Sequence, residues 1–175
     1  MKKKEKKKVV MFAASQGGHF AEMMKLKELF SKYESVLATD NLKATKDIED
    51  LKGFKHIVYS KATAERREKK AGKKQESRWK LNTLWTYCRL FSKCLVIYIK
   101  YRPKVIVSTG SHIAVPFFIY GKIFGSKTIY IESNAKVYSK SLTGKLVERF
   151  SDKIYVQWPE MQAVYPQAVY YGVLH

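Results

Sequence analysis

Apolar residues along this chain gather into short unbroken runs separated by longer amphipathic stretches. Val9-Val10-Met11-Phe12 and Val105-Ile106-Val107 are two such runs. Strands that are apolar at successive positions, rather than at alternate ones, are strands covered on both faces. The pattern predicts strands over 8–14, 35–39, 54–60, 104–109, 127–132, 153–157 and 168–171. Helical periodicity predicts helices over 19–32, 44–52, 78–101, 114–124 and 142–150. Strand and helix in alternation imply right-handed crossovers and a mostly parallel sheet, a doubly wound, Rossmann-like α/β domain. The chain of 175 residues suffices for one core, so the organisation expected is a basic tail (1–8) followed by a single domain (9–175).

Charge changes this picture. The net charge is +19 with a pI near 9.8, which calls for an anionic partner: nucleic acid, acidic lipid or phosphorylated substrate. Six lysines fall in the first eight residues, among them Lys2, Lys3 and Lys4, with no apolar stretch of signal-peptide type behind them. Segment 61–80 holds nine Lys/Arg against three Glu and reads as a long basic loop, either a solvated connection or a functional one. The following helix, 78–101, interleaves Trp79, Trp85 and other aromatics with Arg89 and Lys93. That mixture suits a membrane interface, where rings sit at headgroup level and cations meet anionic lipid; a helix packed on the sheet needs many of the same apolar residues. With each lysine near an anionic surface contributing about 1 kcal/mol, tail, loop and helix together predict peripheral attachment. No apolar run reaches the ~18 residues of a membrane span. Cys88 and Cys94 lie six apart in one predicted helix, on different faces, and read as reduced core cysteines.

Two strand-to-helix turns carry the candidate chemistry. Ser15-Gln16-Gly17-Gly18-His19 follows the first strand. Paired glycines at the mouth of a helix leave backbone N–H groups free for an anion, and His19 sets a titratable group beside it. Thr109-Gly110-Ser111-His112 follows the fourth strand in the same manner. Ligands of doubly wound sheets bind at the carboxyl ends of strands where the winding reverses, and the first and fourth strands are the natural pair there. Two anion-binding turns side by side suit a diphosphate. Glu132 and Asn134 end the fifth strand at the same edge; Glu132 would orient a sugar hydroxyl or assist proton transfer, and Asn134 would line the site or merely cap a loop. Ser141-Leu142-Thr143-Gly144-Lys145 is no P-loop, since Leu146 stands where Ser or Thr is required.

The motifs SQGGH, STGSHIAVP, IYIESNAKV, SLTGKL, SDKIYVQWPEM and YYGVLH, in that order, resemble the membrane-associated subunit of two-chain glycosyltransferases. That family includes the eukaryotic subunit recruiting the chain that adds the second N-acetylglucosamine to dolichol-diphosphate sugar, and the bacterial PssD-type capsule and exopolysaccharide proteins. More distantly the chain is similar to the N-terminal half of MurG-type enzymes of GT-B fold. The resemblance implies that this half holds a polyprenyl-diphosphate-linked acceptor while a separate nucleotide-sugar-binding chain supplies the UDP-sugar and the catalytic donor site. It implies an inverting transfer without metal or cofactor, a chain inactive or nearly so by itself, and a place on the cytoplasmic face of the membrane. By the MurG-type pattern, Gly17, Gly18 and His19 lie at the acceptor diphosphate and reacting hydroxyl, with His19 as base. Thr109, Gly110, Ser111 and His112 face the phosphates, and Glu132 and Asn134 line the cleft between the halves. Ser15-Gln16 and Ser111-His112 depart from the MurG-type pattern, and an N-terminal membrane helix like that of the eukaryotic subunit is missing. The stretch 158–175, with Trp158, Tyr165, Tyr170, Tyr171, Val173 and Leu174, is expected to dock the donor-binding chain. Two other classes compete. A basic nucleic-acid-binding domain fits the charge but leaves the glycine turns without a use. A free-standing nucleotide-binding enzyme lacks a complete GxGxxG and its ribose-binding acid.

Overall fold

A computed structural model of the chain describes residues 8–40, 51, 53–59 and 73–174, with side chains for all of these except 59 and 73–84. All seven predicted strands are present: β1 (Val9–Ala13), β2 (Glu34–Thr39), β3 (His56–Tyr59), β4 (Val105–Ser108), β5 (Lys127–Ile131), β6 (Lys153–Val156) and β7 (Val169–Tyr170). They form one sheet in the order β3-β2-β1-β4-β5-β6-β7, parallel throughout. In the centre, Met11 of β1 lies in register with Val36 of β2 and Ile106 of β4. The chain winds outward from β1 through β2 to β3, then returns to β4 on the other side of β1. The winding therefore reverses between β1 and β4, and the two glycine turns leave from that point, as their sequence positions predict.

The helices are α1 (Gly18–Met24), α2 (Lys27–Lys32), α3 (Lys73–Tyr101), α4 (Ala114–Phe124), α5 (Leu142–Val147), which continues into a 3-10 turn at Glu148–Phe150, and α6 (Met161–Val164). Three expectations need correction. The helix expected over 19–32 is two, broken at Lys25-Leu26, where the amides bond back three residues to Glu22 and Met23. The helix expected from 78 starts at Lys73, so 73–80 is not part of a basic loop. Its Lys, Gln, Glu and Arg are strong helix formers, which outweighs the lack of an apolar stripe. Residues 1–7, 41–50 and 61–72, and with them the lysine tail, most of the helix expected over 44–52 and the rest of the basic loop, lie outside the described residues. By contrast, α4 has the bounds read from sequence and ends on Gly125 in the left-handed region (φ +80°), as a helix C-terminus prefers.

The two faces of the sheet are covered unequally. Met11, Ala13, Val36, Ile106, Tyr130, Ile154 and Val156 pack under α3, α4 and α5. On the other face Phe12, Leu37, Phe20, Met23, Phe30 and Phe54 build a second core, with Phe12 and Phe30 edge to face at 4.8 Å between centroids. α1 and α2 lie over the β1–β2 side of that core, which runs on to the buried Val107 of β4 and Ile131 of β5. Among the described residues no helix covers β4–β6 on this face. The chain end crosses it instead: Leu174 N–H donates to Gln157 Oε1 at 3.0 Å, and Lys25 Nζ donates to the Leu174 carbonyl at 2.8 Å. Beneath lies an apolar groove of about 300 Å³ lined by Leu26, Leu29, Val107, Ile129, Ile131 and Tyr155 together with the tail.

Candidate functional site

The two glycine turns are clasped together. His19 Nδ1 lies 3.0 Å from the Thr109 carbonyl, and Thr109 Oγ1 donates to the His19 carbonyl at 2.6 Å. A carbonyl oxygen only accepts, so Nδ1 carries the proton and Nε2 keeps the ring's lone pair. The ring rests on Gly110, where a Cβ would fall 2.7 Å from Cε1 and 2.8 Å from Nδ1. Gly110 also holds φ +108°, which L side chains rarely adopt, so glycine is needed there twice over.

Turn residues divide sharply by burial. Gln16, Gly17 and Gly18 are exposed; Ser15 and His19 are half-buried. Among the described residues nothing accepts from the amides of Gly18, His19 and Phe20 at the start of α1. In the second turn Thr109, Gly110 and Ser111 are buried and already bonded: Gly110 N–H donates to Ser108 Oγ, and Ile113 N–H to Ser111 Oγ. Expected to face the phosphates, these three are turned into the fold, where they lock the turn to its neighbour. His112 alone of that group reaches the surface, its side chain 40% exposed.

Glu132, expected to line the cleft, is likewise turned into the fold. Two positions from Tyr130 along a strand, it points to the same helix-covered face and is 1% exposed. Oε1 accepts from Tyr130 Oη at 3.1 Å and Ser133 N–H at 2.9 Å. Oε2 accepts from Tyr165 Oη at 2.7 Å, Ser141 N–H at 3.1 Å and Ser141 Oγ at 3.2 Å. Burial first, and then the Glu132 carboxylate, push both phenols far above their ordinary value and keep them neutral donors. With every lone pair committed, this carboxylate braces β5, α5 and the segment before β7. Gly144 permits that, since a Cβ there would overlap Tyr165 Oη and fall 2.5 Å from Glu132 Oε2. Tyr165, expected at a partner interface, is an internal member of this brace.

A carboxylate that does stand at this edge of the sheet is Glu22, which sequence reasoning missed. It lies one turn beyond His19 on α1, and its Oε1 accepts from Ser133 Oγ at 3.0 Å and Asn134 N–H at 2.9 Å. The spacing of three from His19 is the signal that could have found it. Asn134 is held here, with its carbonyl accepting from Trp158 Nε1 at 2.7 Å. Glu22 Oε2 and Asn134 Oδ1 are buried without a hydrogen-bond partner among the described residues. No cluster of three His, Cys, Asp or Glu placed to hold a metal occurs among those residues.

Of the residues expected to face a partner, Trp158, Val173 and Leu174 are half-buried against the domain, whereas Tyr170 and Tyr171 are exposed. Tyr171 is 82% exposed and leans on Tyr155 at 5.9 Å. Helix α3 serves two masters along its length. Leu90, Cys94 and Tyr98 enter the core, while Trp85, Arg89, Val96 and Ile99 form an outward stripe at helical spacing. Ile123 and Phe124 of α4 are exposed apolar residues too, Phe124 stacking on Tyr98 at 5.2 Å, and Lys93 of α3 is exposed. Cys88 is exposed rather than in the core, and neither cysteine is in a disulfide. Trp79 lies among the side chains that are not described. Among the described residues no helix is long and apolar enough to cross a membrane.

Comparison with known proteins agrees with this architecture. A crystal structure of MurG from Acinetobacter baumannii superposes with a TM-score of 0.64 at 12% identity, over 87% of this chain and 42% of that one. At that identity the likeness is one of fold, and the chain spans well under half the length of MurG. Several proteins called UDP-N-acetylglucosamine transferase subunit ALG14 match over most of their length. The Rattus norvegicus protein is 30% identical over 93% of this chain and 81% of its own. That of Schizosaccharomyces pombe is 28% identical over 99% and 86%. A family model described as "Oligosaccharide biosynthesis protein Alg14 like" matches residues 9–174. Matched from its first strand to the end of its described residues, the chain belongs to the Alg14-like family of oligosaccharide biosynthesis proteins.

Proposed function

We propose that this protein is the acceptor-binding, membrane-docking subunit of a two-chain, inverting glycosyltransferase. It moves a sugar from a UDP-sugar, held by a separate catalytic subunit, to a polyprenyl-diphosphate-linked saccharide. The observation that carries the reading is the clasp at the switch point: His19, tethered through Nδ1, keeps its Nε2 lone pair beside the unpartnered amides that open α1. Those amides and the exposed His112 meet the acceptor diphosphate. A hydroxyl of the lipid-linked sugar attacks the donor's anomeric carbon. The new C–O bond forms as the bond to the UDP oxygen breaks, and the hydroxyl proton passes to His19 Nε2. Donors and helix termini of the catalytic subunit meet the charge on departing UDP.

The relatives' printed names support the transferase assignment and the subunit status, and suggest a UDP-N-acetylglucosamine donor. The capsule or exopolysaccharide setting rests on the motif resemblance alone. The nucleic-acid reading has no support among the relatives matched. The α3–α4 apolar surface with its cations supports a peripheral seat on an anionic leaflet, its cytoplasmic side being where nucleotide sugars are met. The catalytic subunit docks over the β4–β6 face that no described helix covers, on the 171–174 segment that crosses it and on Tyr171. Co-expression with a nucleotide-sugar-binding subunit and assay against a lipid-diphosphate acceptor tests all of this. Transfer that needs both chains and is lost in His19→Ala is expected. Full-rate transfer by this chain alone, or by the His19→Ala pair, would overturn it.

A further inference from the structure

The clasp between the two turns has a second half, on the opposite flank of β1. Asp40 follows β2, and its carboxylate reaches across the end of β1. Oδ1 accepts from the Gln16 N–H at 3.3 Å, and Oδ2 stands 3.9 Å from His112 Nε2. The His112 ring is turned so that Nε2 is buried, although the side chain as a whole is 40% exposed; the rest of it is what meets solvent. Nε2 has no hydrogen-bond partner among the described residues, and neither has the fully buried Thr39 Oγ1 beside Asp40. Buried polar atoms left unspent call for an explanation. A gap of 3.9 Å is about 1 Å too long for a charge-assisted hydrogen bond, and contacts of this kind tighten when substrate binds.

We propose that Asp40 is a positioning residue of the acceptor site, closing onto His112 as the diphosphate binds and fixing that imidazole and the β1–α1 turn around it. The proposal rests on the acceptor-binding reading given above. It assigns the two histidines different supports. His19 is held by a neutral carbonyl and is free to take a proton. His112 is backed by a carboxylate and serves to hold an anion. Asp40 reaches both turns at once, so binding at either side is felt by the other.

The test is steady-state transfer by the full-length pair, with this chain as wild type, Asp40→Ala, Asp40→Asn, His112→Gln and Asp40→Ala/His112→Gln. Asp40→Ala is expected to raise KM for the lipid-diphosphate acceptor about tenfold with kcat and donor KM changed less than twofold. Asp40→Asn, which keeps an oxygen for Gln16 N–H, is expected to raise it less. In the double variant the rise should be no larger than in His112→Gln alone, because the two act as one unit. Effects that multiply in the double variant, a loss confined to kcat, or an unchanged acceptor KM in both Asp40 variants would overturn the role of Asp40 while leaving the acceptor site standing. A wild-type pair that transfers nothing to a lipid-diphosphate acceptor would bring down both readings. Should Asp40→Ala fail to fold, Asp40→Asn decides by the same criteria.

Discussion

Replacing Gly110 by alanine separates backbone strain from the packing that orients His19. At φ +108° an alanine costs about 1–2 kcal/mol in backbone strain. Its Cβ would lie 2.7 Å and 2.8 Å from two imidazole atoms, against an ordinary carbon contact of roughly 3.5–4.0 Å. The ring must therefore move by about 1 Å, and the 3.0 Å bond to the Thr109 carbonyl goes with it, at roughly 1 kcal/mol more. Gly125 supplies the control, since it has φ +80° and nothing within 4 Å of an added Cβ. Gly125→Ala should thus lower Tm by about 2–8 °C and Gly110→Ala by about 4–12 °C, using the 2–4 °C per kcal/mol of a chain this size. The imidazole nitrogen signals of His19 in ¹⁵N NMR should lose the Nδ1–H pattern only in Gly110→Ala. In the reconstituted pair a base displaced by about 1 Å should cost on the order of 10² in kcat. Equal melting of the two variants, with unshifted His19 signals, would refute the clasp as the device that orients this ring.

Glu132→Ala strips the acceptor from buried donors and should cost about 3–5 kcal/mol, read as a Tm loss near 10 °C or more; Glu132→Gln should cost less. A normal melt with abolished transfer would instead return Glu132 to the chemistry. Asp152 is pulled upward by partial burial, but bonds from Thr128 N–H and Oγ1 and the charges of Lys127 and Lys122 hold its carboxyl below the ordinary 3.8. A lowered folded-state value means its stabilisation is present above about pH 4 and fades as pH falls through that lower value. Acid unfolding should accordingly be shallower in Asp152→Asn, and identical acid limbs would exclude the contribution. Serine at Trp85, Val96, Ile99 and Ile123 together should weaken sedimentation with anionic liposomes at least tenfold. Unchanged sedimentation would move the membrane contact elsewhere.

What the sequence made legible follows from physical range. Strands such as Val9–Ala13 and the run Val105-Ile106-Val107 announce themselves because burial on both faces selects successive apolar residues. Helix α4 was legible to the residue, having Gly125 to stop it. The start of α3 was not, because 73–80 is rich in charges that suit a helix and a solvated loop equally well. The short α6, one turn long, gives no periodicity to read. At the switch point, the turn carrying Gly17, Gly18 and His19 was legible because its spacing is local. Glu22 meeting Asn134, and Asp40 meeting His112, join residues far apart in the chain and depend on which strands are neighbours. Glu132 was misjudged for a related reason. Its place at a strand end suggested the cleft, whereas its spacing of two from Tyr130 put it on the covered face.

The strand order also governs how this chain comes to be folded during synthesis. β1 is made some ninety residues before β4, which closes one of its sides. At 5–20 residues per second that is a wait of roughly 5–20 s, in which a wholly apolar central strand is paired on one side only. Long-range parallel pairing of this kind is slow and leaves an adhesive edge exposed in the nascent polypeptide. Heterologous production should therefore respond to slower translation and to chaperone supply more than to any change on the finished surface.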